Sequence, residues 1–241
     1  MSAPRPKVIG WIIVGASVTA ALFHLYAAGF SPFTALVQRP VHLALMATLG
    51  FLGVGVQFRR SREKEGELDQ EAGPPHIGPL NYVLAGLSVL ACLYLASENQ
   101  ELVSRSGNPT LLDLVAGGVM VVLVLELARR ATGWGLVTVC IMALVYAVSG
   151  PYLPGFLAHR GYGVTRIVEQ LFLSTEGIWG VPLGVSADFV YLFVLFGVVL
   201  DTAGGGALLI ALANKVAGRT RGGPAKTAAV ASAFMGSLSG S

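Results

Sequence analysis

Six long apolar runs constrain this chain more than any other feature. They cover residues 8–30, 41–58, 80–96, 111–128, 134–149 and 183–200. An apolar bilayer core is about 30 Å thick, and a helix needs roughly 20 residues to cross it. In hydrocarbon every backbone N–H and C=O must be satisfied within the chain, so runs like these fold as helices. Composition agrees: 54% of the 241 residues are hydrophobic before the 31 glycines are counted, and 12% are charged. Soluble domains carry about 25% charged residues. The expected fold class is all-α integral membrane, with about six transmembrane helices.

The first run follows a short leader carrying Arg5 and Lys7. A signal peptide opens in the same way, but its apolar core is about 7–15 residues. Residues 8–30 exceed that and no small-x-small site follows, so the run reads as a retained span. Pro32 and Pro40 are expected to bracket the first loop. Gly50, Gly53 and Gly55 in the second run suit close helix–helix approach. Residues 59–79 hold a basic cluster, then an acidic one, then Gly73-Pro74-Pro75, and read as a solvated loop. Residues 98–109 read as a polar turn. Cys92 and Cys140 both fall in apolar runs and read as packing residues rather than a disulfide or metal pair.

Between the fifth and sixth runs lies residues 164–173. Val164, Ile167, Val168, Leu171 and Phe172 share one helical face, with Arg166, Glu169 and Gln170 opposite. This predicts an interfacial amphipathic helix, too short to span. Residues 207–217 are apolar but cover only half a bilayer. The basic residues then set orientation. With six spans, twelve of the 16 Lys and Arg fall on one side and four on the other. The richer side belongs in the cytoplasm, which places the N-terminus there too.

Polar residues within the runs are few. Asp188 is a functional candidate because an ionisable residue inside a span is costly. It lies close to the external end of its run and also has a bland reading, contact with interfacial water. Glu126, beside Arg129-Arg130, and Asp201, near Lys215, read as solvated or paired. His24 and His42 read as lone histidines held by hydrogen bonds in the packing. No metal-ligand spacing, nucleotide-binding loop or nucleophile elbow occurs, so nothing points to an enzyme or a bound cofactor. The net charge of +3 carries no nucleic-acid signal, because the basic residues sit in short loops.

The final stretch gathers the polar atoms. Gly222-Gly223-Pro224-Ala225-Lys226 leads into a small-residue run that ends Gly236-Ser237-Leu238-Ser239-Gly240-Ser241. Some ten helical residues from the cytoplasmic face reach about 15 Å, half the apolar core. Glycines there are expected to break the helix near the midplane, forming half of a re-entrant hairpin. Secondary transporters hold substrate and ion at such breaks. Gly236, Ser237, Ser239, Gly240 and Ser241 are therefore the candidate ion- and substrate-binding residues, with hydroxyls suited to Na⁺. A Ser-rich helix interface is the alternative.

The segments Arg129-Arg130-Ala131-Thr132-Gly133-Trp134, 146–154, 174–186, 193–200 and 221–241 together resemble the tripartite ATP-independent periplasmic (TRAP) transporters. The resemblance is specific from about Arg129 onward and points to the fused permease paired with binding proteins of the TAXI class. It implies residues 1–130 as a four-helix region like the small subunit, and residues 131–241 as the start of the large, DctM-like transport part. It implies an elevator-type permease in the bacterial inner membrane. An organic acid would arrive from a periplasmic binding protein, and uptake would be driven by Na⁺ or H⁺ rather than ATP. The family's first hairpin carries Gly-x-x-Ser-Gly-Ser, matched by Gly236, Ser239, Gly240 and Ser241, with Ser237 at a variable place. Asp188 departs from the small neutral or hydroxyl residue expected there. The returning limb and second hairpin do not follow Ser241, so a truncated product is expected. The alternative from another class is a stand-alone six-span scaffold that anchors a partner.

Overall fold

The computed structural model describes residues 7–30, 33–53, 78–104, 107–217 and 222–239. Its regular elements among these residues are all helical. They are α1 (Lys7–Gly29), α2 (Ala35–Phe51), α3 (Pro79–Ser104), α4 (Leu111–Thr132), α5 (Trp134–Ser149), α6 (Val164–Val168, continued as a π-turn over Glu169–Leu173), α7 (Val181–Thr202), α8 (Gly205–Ala217) and α9 (Gly223–Ser239). Helices α1, α3, α4, α5 and α7 are long and apolar enough to cross a membrane. Helix α2 has 17 residues. The end expected for its run, residues 54–58, lies outside the described residues, as does most of the loop read at 59–79. The outward faces carry Trp11, Leu22, Leu93, Val122 and Phe196 exposed, as suits contact with lipid.

Two boundaries differ from the sequence reading. Pro40 lies inside α2, not beside a loop. Proline is tolerated in membrane helices where neighbouring helices re-satisfy the freed carbonyl, and Pro40 is fully buried. Helix α3 continues to Ser104, through residues read as a turn. Glu98, Gln100 and Glu101 are good helix formers, so the helix outruns the apolar stretch.

The apolar centre forms where α2, α3 and α4 meet α6. Phe51, Leu95, Met120, Phe172 and Trp179 are almost completely buried there. Two glycines allow the approach. A Cβ on Gly50 would stand 2.7 Å from Leu127 Cδ1, and one on Gly117 would stand 2.5 Å from Val168 Cγ1. Gly50 thus makes the expected interhelical contact, whereas Gly53, at φ 85°, is a turn residue after α2. The amphipathic stretch buries Val168 and Phe172 against α4 and turns Arg166 outward. Glu126 is paired, at 2.7 Å to both Arg129 and Arg130.

Helix α4 begins with a capping box: the Asp113 N–H donates to Thr110 Oγ1 and the Thr110 N–H to Asp113 Oδ2. It ends at Gly133, the single residue between α4 and α5, at φ 86° and ψ −165°. Gly204 ends α7 at φ 86°, and α8 starts at the next residue. Helices α8 and α9 then pack against each other.

Candidate functional site

Helix α9 contains the residues singled out at the chain's end. It runs without interruption through Gly236 to Ser239, so the break expected at Gly236 does not occur. One glycine costs a helix only about 1 kcal/mol relative to alanine, and helical bonding keeps its amide satisfied in apolar surroundings. Gly240 and Ser241 lie outside the described residues, as do the side chains of Ser237 and Ser239. Thr227, two turns earlier in the chain, is buried, and its hydroxyl has no hydrogen-bond partner among the described residues.

The structure places a second polar group elsewhere, where α1 and α2 meet α7. His24 of α1 is buried, and its Nδ1 lies 2.7 Å from the Ala20 carbonyl. Its Nε2 lies 2.8 Å from Nδ1 of His42 on α2. His42 Nε2 lies 3.1 Å from Ser186 Oγ on α7. The Tyr191 ring stacks on His24 with centroids 4.1 Å apart. Beside this chain, Gln38 Nε2 donates to Asp188 Oδ1 at 2.6 Å. A half-open cleft of about 260 Å³ is lined by His24, Gln38, Arg39 and Asp188 together with apolar residues.

Local backbone explains how α7 supplies two of these groups. Pro182 opens the helix, where its missing N–H costs nothing. One turn on, residues Ser186–Val190 form a π-turn. Such bulges recur at functional sites because they re-aim side chains. Asp188 therefore does more than reach interfacial water: it accepts a hydrogen bond from α2.

Arg39 is fixed by the turn before α7. Its Nη1 donates to the Trp179 carbonyl, and a Cβ on Gly184 would meet the guanidinium at 2.8 Å. Trp179 is held in turn, with Nε1 donating to the Phe172 carbonyl at 2.5 Å and the ring against Phe172. The turn closes tightly: the Ile178 N–H donates to the Leu171 carbonyl at 2.8 Å. The segment 174–186 is thus the bracket that seats α7 on α2.

His24 and His42 are not the lone histidines read from sequence, although both are hydrogen-bonded as expected. They stand 18 residues apart, and Ser186 and Asp188 about 150 further on, so no spacing rule links them. The available signal was that each is a polar group in an apolar run, and such groups pair with one another.

The family model for the DctM component of the tripartite ATP-independent periplasmic transporters matches residues 119–241, just over half of the chain. No curated protein and no solved structure matches it. The match takes in α5 to α9, the Trp179 bracket, Asp188 and the final Ser-Gly stretch. The chain belongs to the DctM family, the permease component of the tripartite ATP-independent periplasmic transporters.

Proposed function

We propose that the permease to which this chain belongs imports an organic acid, delivered as a carboxylate by a periplasmic binding protein of the TAXI type. An ion gradient, Na⁺ or H⁺, drives uptake by an elevator movement. The observation that carries this reading is the DctM match over residues 119–241, which takes in the Gly236-x-x-Ser239-Gly240-Ser241 pattern. Residues 1–130 act as the fused small-subunit-like region, and the whole sits in the bacterial inner membrane with its N-terminus in the cytoplasm. Helix α9 enters from the cytoplasmic side. Gly236, Ser237, Ser239, Gly240 and Ser241 supply carbonyl and hydroxyl oxygens to the ion beside the substrate carboxylate, as hard-oxygen sites do.

The test is uptake into proteoliposomes that hold the whole permease. A labelled carboxylate should enter only with the binding protein present and an ion gradient imposed, and ATP should have no effect. Uptake that needs no binding protein would overturn the reading. With Na⁺ as the driving ion, Ser239→Ala and Ser241→Ala should each raise the Na⁺ concentration for half-maximal uptake about tenfold, the size of one lost bond to a charged partner. An unchanged Na⁺ dependence removes those hydroxyls from the ligand set.

A further inference from the structure

We infer that His24, His42 and Ser186 form a binding site for a single proton at the junction of α1, α2 and α7. The hydrogen-bond geometry fixes the ring protons. A carbonyl only accepts, so His24 Nδ1, 2.7 Å from the Ala20 oxygen, carries a hydrogen. In the neutral ring His24 Nε2 is then an acceptor. His42 Nδ1, 2.8 Å away, must donate to it. That leaves His42 Nε2 as an acceptor, 3.1 Å from the Ser186 hydroxyl, which donates. The neutral chain therefore satisfies every ring nitrogen with one proton on each ring, both at Nδ1.

One further proton fits without breaking a contact. It adds to His42 Nε2, which then donates to Ser186 Oγ as the hydroxyl hydrogen turns away. The charge can pass to His24 by movement of the shared proton along the 2.8 Å bridge, so two rings carry one positive charge. A second proton does not fit. It would set two N–H groups head to head at that distance, with two adjacent cations. The site binds one proton and no more.

Burial opposes such a charge, and the Asp188 carboxylate offsets part of that cost. Asp188 and Arg39 face the cleft that His24 lines, and Gln38 holds the Asp188 carboxylate in place. Arg39, the like charge, is turned to the Trp179 carbonyl. Tyr191 covers the His24 ring. From α3 and α4, no charged group among the described residues hydrogen-bonds to either ring. Both imidazoles are buried, and the His24 ring lines the half-open cleft, the side from which water can approach the pair. Binding the proton reverses the bond between α2 and α7, from one that Ser186 donates to a charge-assisted one that His42 donates, so the seating of α1 and α2 on α7 becomes linked to pH.

Ring-nitrogen NMR of the ¹⁵N-histidine-labelled protein in nanodiscs tests this without any substitution. Near neutral pH both rings should show Nδ1–H and an accepting Nε2, with scalar coupling across the N–H···N bridge. Acidification from about pH 8 to about pH 4, the span in which histidines titrate, should move both rings through one shared transition totalling one proton. An Nε2–H tautomer on both rings would overturn the proposal, as would uptake of two protons or of none. Asp188→Asn keeps an acceptor for Gln38 and removes the charge. It should lower the midpoint by about one pH unit, the effect of a nearby opposite charge, while leaving the one-proton total intact.

Discussion

Gly177 occupies a place that only a hydrogen can fill. A Cβ there would lie 2.4 Å from both Cα and the carbonyl oxygen of Leu171, which is backbone and cannot swing aside. Gly177→Ala must open the turn that holds Trp179, and should cost about 3 kcal/mol, near the top of the ordinary range for one substitution. Thermal unfolding in detergent would read it. Trp179→Phe keeps most of the buried ring but leaves the Phe172 carbonyl without its donor, at a cost of about 1–3 kcal/mol. The sequence marked this segment only through its likeness to a family, because glycine and tryptophan in a short turn have many other uses. Residue pairing was the least legible level. His24, His42 and Asp188 were each visible as polar groups in apolar runs, but which helices would face one another depends on packing that no spacing encodes.

Helix α4 shows how local and tertiary signals combine. Its first turn has a reciprocal cap between Thr110 and Asp113, and Tyr94 Oη of α3 donates to the same carboxylate at 2.6 Å. Thr110→Ala should cost about 1 kcal/mol, as for other lost caps. Asp113→Ala should cost more, since it also removes the acceptor of the Tyr94 hydroxyl. Chemical unfolding followed by tryptophan fluorescence would order the two, and equal effects would deny the Tyr94 bond any weight. Gly117→Ala should drive Val168 and Phe172 away from α4, lowering stability by about 1–3 kcal/mol, as overpacking does. Elements were well read where apolarity and helix length coincide, as at α1, α4 and α5. They were misread at α3 and α2. Apolarity measures depth in the membrane, whereas a helix continues as long as its residues allow. Val168 and Phe172 of the apolar face read for α6 are buried, whereas Val164 is exposed, and the π-turn has no sequence signature.

At the scale of the whole molecule, the charge bias argues for one orientation. In that proposed orientation the α4–α5 junction would face the cytoplasm, and the loop after α5 the periplasm. With Cys92 and Cys140 replaced by serine, Ala131→Cys should react with an impermeant maleimide in inverted vesicles only. Ala158→Cys should react in right-side-out cells only. Both positions are exposed. The reverse pattern would turn the molecule over and move the entry of α9 to the other face.

The same junction has a mechanical side. Helices α4 and α5 are joined by Gly133 alone, in a backbone region open essentially to glycine. Two dihedral angles form the covalent link between the matched family region's first helix pair, and the Arg129 guanidinium of α4 sits over the Trp134 ring of α5 across it. Helix α5 has 16 residues and, at 1.5 Å per residue, is a lever about 24 Å long. A rotation of about 10° at the pivot sweeps its far end through about 4 Å, close to the 5.4 Å pitch of a helical turn. Any angular play at Gly133 would thus be amplified at the far end of α5.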